Sequence, residues 1–341
     1  MSSDNIKPNL NAIDIAKFFG SILIFAMHCD SLEDFGDAQF VLMVMTRWAV
    51  PFFFISSSYF LFRNKENEEL EKKRIKHYVH RICMLYLLWG IFNIPFIIYQ
   101  RFYRNGLDDI NTYVQFVKNF LIQSTFTGSW YLISSIFSAC FVYWLGKKFR
   151  TGTIIIFSLP IYCICVLTSV YEGILPETLH NIFRFLSFPL NIFGGCFYFS
   201  LGKYIAESED RIKHIFTRGK AICLFVLFYL LYVIELRLAN YFMVFGSTDV
   251  AFSTAILAFM LFVFCIQSNI HISNGLLLRK LSIIIYCCQA NVLLVNGFCK
   301  KILVLPSIVA FLVSAITVFA ISSIVLRIQR INSWKWTRYL T

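Results

Sequence analysis

The chain has 341 residues, of which 58% are hydrophobic and only 15% charged, and its mean hydropathy is +0.68. A soluble domain carries about a quarter charged residues, so a soluble globular enzyme is excluded. The net charge of +12 has no basic domain behind it and excludes a nucleic-acid binder; the Lys and Arg residues sit in short connections, as in cytoplasmic loops.

Apolar runs, each long enough to cross roughly 30 Å of hydrocarbon, fall at about 12–30, 40–62, 82–100, 129–146, 153–171, 185–205, 221–239, 250–268, 282–299 and 303–326. They predict an all-α polytopic membrane protein with about ten transmembrane helices, formed as a single domain over 1–341. The residues after the first run, Cys29 to Glu33, lack a small-x-small cleavage pattern, so that run is expected to remain as the first helix. Lys and Arg crowd the connections that would be internal if the N-terminus is cytoplasmic. The opposite connections hold only Arg101, Arg104, Lys118, Arg184, Lys300 and Lys301. Both termini are therefore expected in the cytoplasm.

The first run carries Asp14, Lys17 and His28. Charge inside a bilayer is costly and marks a pathway or a site. Asp14 and Lys17 are three residues apart and can pair on one face. His28 follows Lys17 by about three turns, so both point the same way about 16 Å apart, with Ser21 on the same stripe. That ladder suits a long, thin substrate held at one end and reacting at the other. An interfacial histidine anchoring the helix end is the plain alternative.

Arg47 precedes the Ser-rich second run "WAVPFFFISSSYF" and is expected near His28. The connection 63–81 alternates charge, and its basic half, "KKRIKHYVHR", ends against the third run. It reads either as a positive-inside anchor or as a gathering surface for an anionic cytosolic ligand. The connection 101–128 contains a stretch expected to lie as an amphipathic helix on the membrane. Trp130 and Tyr131 open the fourth run, where an aromatic belt is the ordinary explanation. Glu235 and Arg237 fall near the end of the seventh. Most of the eleven Cys lie inside apolar runs as small hydrophobes. No metal-ligand spacing appears.

Several motifs together resemble the membrane acyltransferase-3 family, the bacterial integral-membrane O-acyltransferases. "IDIAKFFGSILIFAMH" is similar to the family's I-D-x-x-R/K followed by His. "RWAVPFFFISSSYFLF" is similar to R-x-x-V-P-x-F-F-x-I-S-G-Y-x-x-F. "RICMLYLLW", Trp130-Tyr131-Leu132, "FYFSLGKYI" and "LSIIIYCCQ" follow in family order. The chain is similar to the short enterobacterial-common-antigen O-acetyltransferase type. It departs from the pattern at Lys17 (commonly Arg), Ser58 (Gly), Gln289 (His) and in Gly128-Ser129, where a His often precedes Trp130.

The resemblance implies a multi-pass protein of the bacterial inner membrane that uses acyl-CoA, with acetyl-CoA the favoured donor, as co-substrate with no permanently bound cofactor. It implies that CoA phosphates dock on Lys72, Lys73, Arg74, Lys76 and Arg81, and that the pantetheine arm runs past a Lys17 oriented by Asp14. His28 would be general base or covalent acyl carrier. Arg47, Ser57 or Trp130 would stabilise the oxyanion or hold the acceptor. Tyr131, Glu235 and Gln289 would complete the acceptor site for a glycan or lipid-linked sugar. Competing readings are a small-metabolite transporter along the same polar stripe and a ligand-sensing membrane domain.

Overall fold

The computed structural model describes residues 10–64, 67–103, 110–331 and 335–341. Lys65 and Glu66 of the basic connection and residues 104–109 of the 101–128 connection lie outside the described residues. Among the described residues the regular structure is all helical, without a strand.

In chain order the α-helices are α1 (Asn11–His28), α2 (Ala38–Thr46), α3 (Ala49–Phe62), α4 (Glu68–Phe92), α5 (Ile94–Ile97), α6 (Ile110–Ile122), α7 (Trp130–Gly146) and α8 (Thr151–Leu167). They continue as α9 (Glu177–Phe185), α10 (Cys196–Glu207), α11 (Glu209–Ile215), α12 (Arg218–Tyr241), α13 (Phe252–Ile266), α14 (Gly275–Lys301) and α15 (Ser307–Ile328). Each of the ten predicted runs contains helix. By length and composition, five segments can cross a membrane alone: α1, α2 with α3, α12, α14 and α15. A sixth is α4 with the bent segment Ile94–Gln100.

Local chemistry explains the departures from ten straight spans. Pro51 lacks an N–H and crowds the carbonyl four residues earlier, at Arg47. The second run accordingly breaks between α2 and α3 at Arg47–Trp48. The third element begins at Glu68 rather than 82, because Asn67 caps it by accepting from Leu70 N at 3.0 Å and three Glu occupy its first turn. It ends at Asn93, and the chain bends by 68° into the Pro95 turn. The run 185–205 is not one helix. Residues 186–195 form turns in which Asn191 Nδ2 donates to Leu186 O and Asn191 Oδ1 accepts from Phe193 N, and helix resumes only at Cys196. Pro189 stands within that break and has no N–H to donate.

The core is built around α3, which buries Phe52, Phe54, Ile55 and Tyr59 completely. It packs against α10, where Ser58 Oγ donates to Phe199 O at 2.5 Å. The hydroxyl that replaces the family's Gly is thus used as an interhelical tie. Helix α12 leaves Val226, Leu230, Ile234 and Leu238 exposed, and α15 leaves Leu312, Ile316 and Phe319 exposed. Apolar faces of that kind, on helices long enough to span, belong against lipid tails. Helix α6 forms within the 101–128 connection, as expected, with Ile110, Val114, Val117 and Leu121 exposed.

Candidate active site

Three cavities follow one another along α1. The first, about 540 Å³, opens at the Lys17 end and is lined by Lys17, Lys73, Arg74, His77, Arg81 and Arg279, with Ser57 and Tyr78. The second, about 90 Å³, shares Lys17, Ser57 and Arg81 with the first and adds Phe53, Tyr131, Tyr286 and Cys287. The third, about 250 Å³, shares Tyr286 with the second and is lined by His28, Arg47, Trp130, Gly128, Tyr198 and Asp249. Helix spacing produces the order: Lys17, Ile24 and His28 lie on one stripe of α1, and the cavities take Lys17 at one end and His28 at the other. The ladder read from the sequence thus has a cavity at each end, with the small middle cavity sharing wall residues with both. Ser21 is buried and donates instead to Phe18 O at 2.7 Å.

Helix periodicity also selects the basic residues. On α4 the cavity takes Leu70, Lys73, Arg74, His77 and Arg81, at intervals of three and four. Lys72 and Lys76 are not in the lining. Lys73 Nζ lies 2.9 Å from Glu69 Oε1 on the solvated surface. His77 belongs to the lining and was not singled out; the same periodicity applied to the basic run finds it.

Asp14 does not pair with Lys17. Its Oδ1 accepts from Arg279 Nε at 3.0 Å and its Oδ2 from Nη2 at 2.9 Å, a two-pronged bond from α1 to α14. Asp14 is 3% exposed, so its charge requires such a partner. Gly275, one turn before Arg279, makes the approach possible, since a Cβ there would sit 2.6 Å from Asn11 Oδ1. Lys17 Nζ instead lies 5.6 Å from the centroid of the Phe60 ring, at the mouth of the basic cavity. Arg279 carries no local signal in the sequence, because its partner is 265 residues away.

At the opposite end, Arg47 is brought to the same cavity as His28. It is also pinned there: Nε (3.0 Å) and Nη2 (2.6 Å) donate to Thr248 Oγ1, and Nη1 lies 2.8 Å from Asp249 Oδ1. Trp130 lines this cavity and packs on Phe54. Ser57 and Tyr131 do not reach it. Their hydroxyls lie 3.1 Å apart beside the middle cavity. Among the described residues neither ring nitrogen of His28 meets a protein hydrogen-bond partner, and the ring lines open space.

Two further assignments change. Glu235 caps α13, its Oε1 accepting from Phe252 N (2.8 Å) and Tyr171 (3.3 Å) and its Oε2 from Ser253 N (3.1 Å) and Ser253 Oγ (2.5 Å). Both oxygens are engaged and the residue lines none of the three cavities, so its role is structural. Glu235→Gln is expected to lower stability by about 1 kcal/mol, the loss of an N-cap, read as a lower Tm in detergent.

Gln289 is fully buried and approaches Thr127 O at 3.4 Å rather than facing the cavity. It sits behind Gly128, whose φ of +81° favours glycine and whose added Cβ would meet Gln289 Nε2 at 2.7 Å. Tyr286 donates to Gly128 O at 2.8 Å. Gly128→Ala is expected to cost about 1–3 kcal/mol in backbone strain and contact and to disturb the wall of the His28 cavity, read as lower Tm together with lower turnover.

Apolar helices long enough to span, with exposed apolar faces, define a multi-pass membrane protein. A family model described as an acyltransferase domain matches residues 10–327, and the chain belongs to the acyltransferase-3 family. Two curated relatives are both amino-acid racemases of Enterococcus faecalis. One is 26% identical over 212 residues, which is 60% of this chain and 29% of the relative. The other is 27% identical over 189 residues, 53% of this chain and 26% of the relative. The matched part thus spans under a third of the length of these relatives. No solved structure matches.

Proposed function

We propose that the protein is an integral-membrane O-acyltransferase of the bacterial inner membrane. It moves an acyl group, acetyl in the first instance, from cytosolic acyl-CoA to a hydroxyl of a cell-surface glycan or its lipid-linked precursor. The run of three cavities, cationic at one end and holding His28 at the other, carries this reading. With the N-terminus cytoplasmic, the Lys17 end faces the compartment that holds acyl-CoA. Lys17, Lys73, Arg74, Arg81 and Arg279 then gather its phosphates. The pantetheine arm lies past Lys17 and the Ser57–Tyr131 pair, and the roughly 16 Å between Lys17 and His28 suits an extended arm.

The acceptor hydroxyl enters the His28 cavity from the outer side. Its oxygen attacks the thioester carbonyl carbon while His28 accepts the hydroxyl proton. The C–S bond breaks, and the leaving thiolate takes that proton back from the imidazolium as free CoA. In the covalent variant the imidazole nitrogen attacks first and the C–S bond breaks to release the CoA thiolate; the hydroxyl then attacks the acyl-imidazole, the N–acyl bond breaks, and the hydroxyl proton ends on the thiolate as free CoA. Arg47, held by Thr248 and Asp249, presents a fixed positive charge to the oxyanion with little reorganisation.

The same end-to-end path suits a carrier of a small metabolite, which stands as the second reading. Purified protein in lipid vesicles, given labelled acetyl-CoA with envelope glycan or lipid-linked sugar, is expected to release free thiol and label the acceptor. Solute uptake without thiol release from any donor would replace the transferase by transport.

A further inference from the structure

Three rings stand where the middle cavity meets the His28 cavity. Phe53 on α3, Tyr131 on α7 and Tyr286 on α14 have centroids 6.0 Å (Phe53–Tyr131), 5.9 Å (Phe53–Tyr286) and 5.7 Å (Tyr131–Tyr286) apart. Each pair meets edge to face, at 70°, 83° and 74° respectively. All three line the middle cavity, and Tyr286 lines the His28 cavity as well. Their positions are fixed from behind. Tyr131 and Ser57 share a hydrogen bond of 3.1 Å, Tyr286 donates to Gly128 O at 2.8 Å, and Phe53 is 7% exposed. Three helices thus each contribute one ring to a closed triangle. It forms in the wall of the smallest of the three cavities, about 90 Å³ beside neighbours of about 540 and 250 Å³. Edge-to-face rings attract one another, and a packed interior resists added volume.

We propose that Phe53, Tyr131 and Tyr286 form a sieve that sets the length of the acyl group. The inference rests on the reading that acyl-CoA enters from the Lys17 end. A donor entering there leads with its acyl group, which must pass the three rings before the thioester reaches His28. An acetyl group adds one methyl beyond the carbonyl. Every further methylene has to be lodged between rings already in contact, or in the His28 cavity where the acceptor must sit. Specificity for short acyl groups therefore resides in the middle of the bundle, away from both the phosphate-binding cations and the histidine. Phe53 is the controlling ring, because it alone of the three has no side-chain hydroxyl to hold it by a hydrogen bond.

The test compares native protein with Phe53→Ala and Phe53→Leu, using acetyl-, propionyl-, butyryl- and hexanoyl-CoA and following thiol release. Glu235→Gln, outside all three cavities, serves as a variant that leaves the rings untouched. Native turnover is expected to fall roughly tenfold per added methylene, and Phe53→Ala to improve the butyryl-to-acetyl ratio by about tenfold. Glu235→Gln should retain the native profile. In parallel, binding of S-ethyl, S-butyl and S-hexyl thioethers of CoA is measured by calorimetry, which needs no turnover and should show the same ranking. A flat chain-length profile in the native protein overturns the sieve and leaves the transferase reading standing. So does a profile unmoved in both Phe53 variants. Absence of binding by every CoA derivative overturns the sieve and the donor reading together. Should Phe53→Ala fail to elute as a single species, Phe53→Leu, which keeps most of the apolar volume, carries the comparison.

Discussion

Replacing His28 with alanine is expected to lower acyl transfer by about 10²–10⁴-fold, the contribution of a positioned general base. The ring lines the His28 cavity, and among the described residues no side chain holds its nitrogens in a hydrogen bond. It is therefore available to an incoming hydroxyl. Its loss removes little packing, because the residue sits at the last turn of α1 and faces open space. CoA binding is expected to persist, since the cations line a different cavity. The measurement is thiol release and label transfer with acetyl-CoA, set beside CoA binding by the same preparation. Retained binding with lost turnover identifies His28 as the reacting group, as base or as carrier. Equal turnover in both proteins removes it from the chemistry.

Breaking the Asp14–Arg279 bond is expected to have the second largest effect. Asp14 is buried on α1 with both oxygens engaged by one guanidinium on α14. Arg279→Ala leaves that carboxylate buried and unpaired, at a cost of about 3 kcal/mol. This is the lower end for such pairs, because the Arg279 side chain is 48% exposed. The same variant removes a cation from the basic cavity, so affinity for CoA should fall about tenfold or more, the loss of one charge-assisted hydrogen bond.

Arg279→Lys keeps the charge without the two-pronged geometry. It should recover part of the CoA affinity and little of the stability. Pairing Asp14→Asn with Arg279→Gln removes both charges and should restore more stability than either change alone. Thermal unfolding and CoA titration across the native protein and these five variants separate the two contributions. Unchanged Tm in Arg279→Ala would show that the bond does not hold α1 to α14.

The sequence by itself determined the class of the protein and the direction of its site. Hydropathy marks apolar runs because lipid tails accept no unpaired polar group, and those runs reappear as helices. The Lys17–His28 stripe was legible because helix geometry is local: eleven residues fix both the facing and the separation. The spacing of Leu70, Lys73, Arg74, His77 and Arg81 was equally available, and it alone separates the lining residues from Lys72 and Lys76. The break at Arg47–Trp48 follows from Pro51.

Other features were decided only when helices distant in the chain met. Arg279 reaches Asp14, and Asp249 reaches Arg47, across intervals of the chain that no local pattern links. Glu235 looked like a polar group within a span, and the start of α13 turned it into a cap. Ser57 and Tyr131 were legible as polar positions, but their place midway along the path depends on how α3 and α7 cross. The aromatic triangle draws one ring from each of three helices, so its existence is a property of their packing. Periodicity tells which face of a helix is occupied; the tertiary structure tells by what, because the partner is chosen by the approach of another backbone.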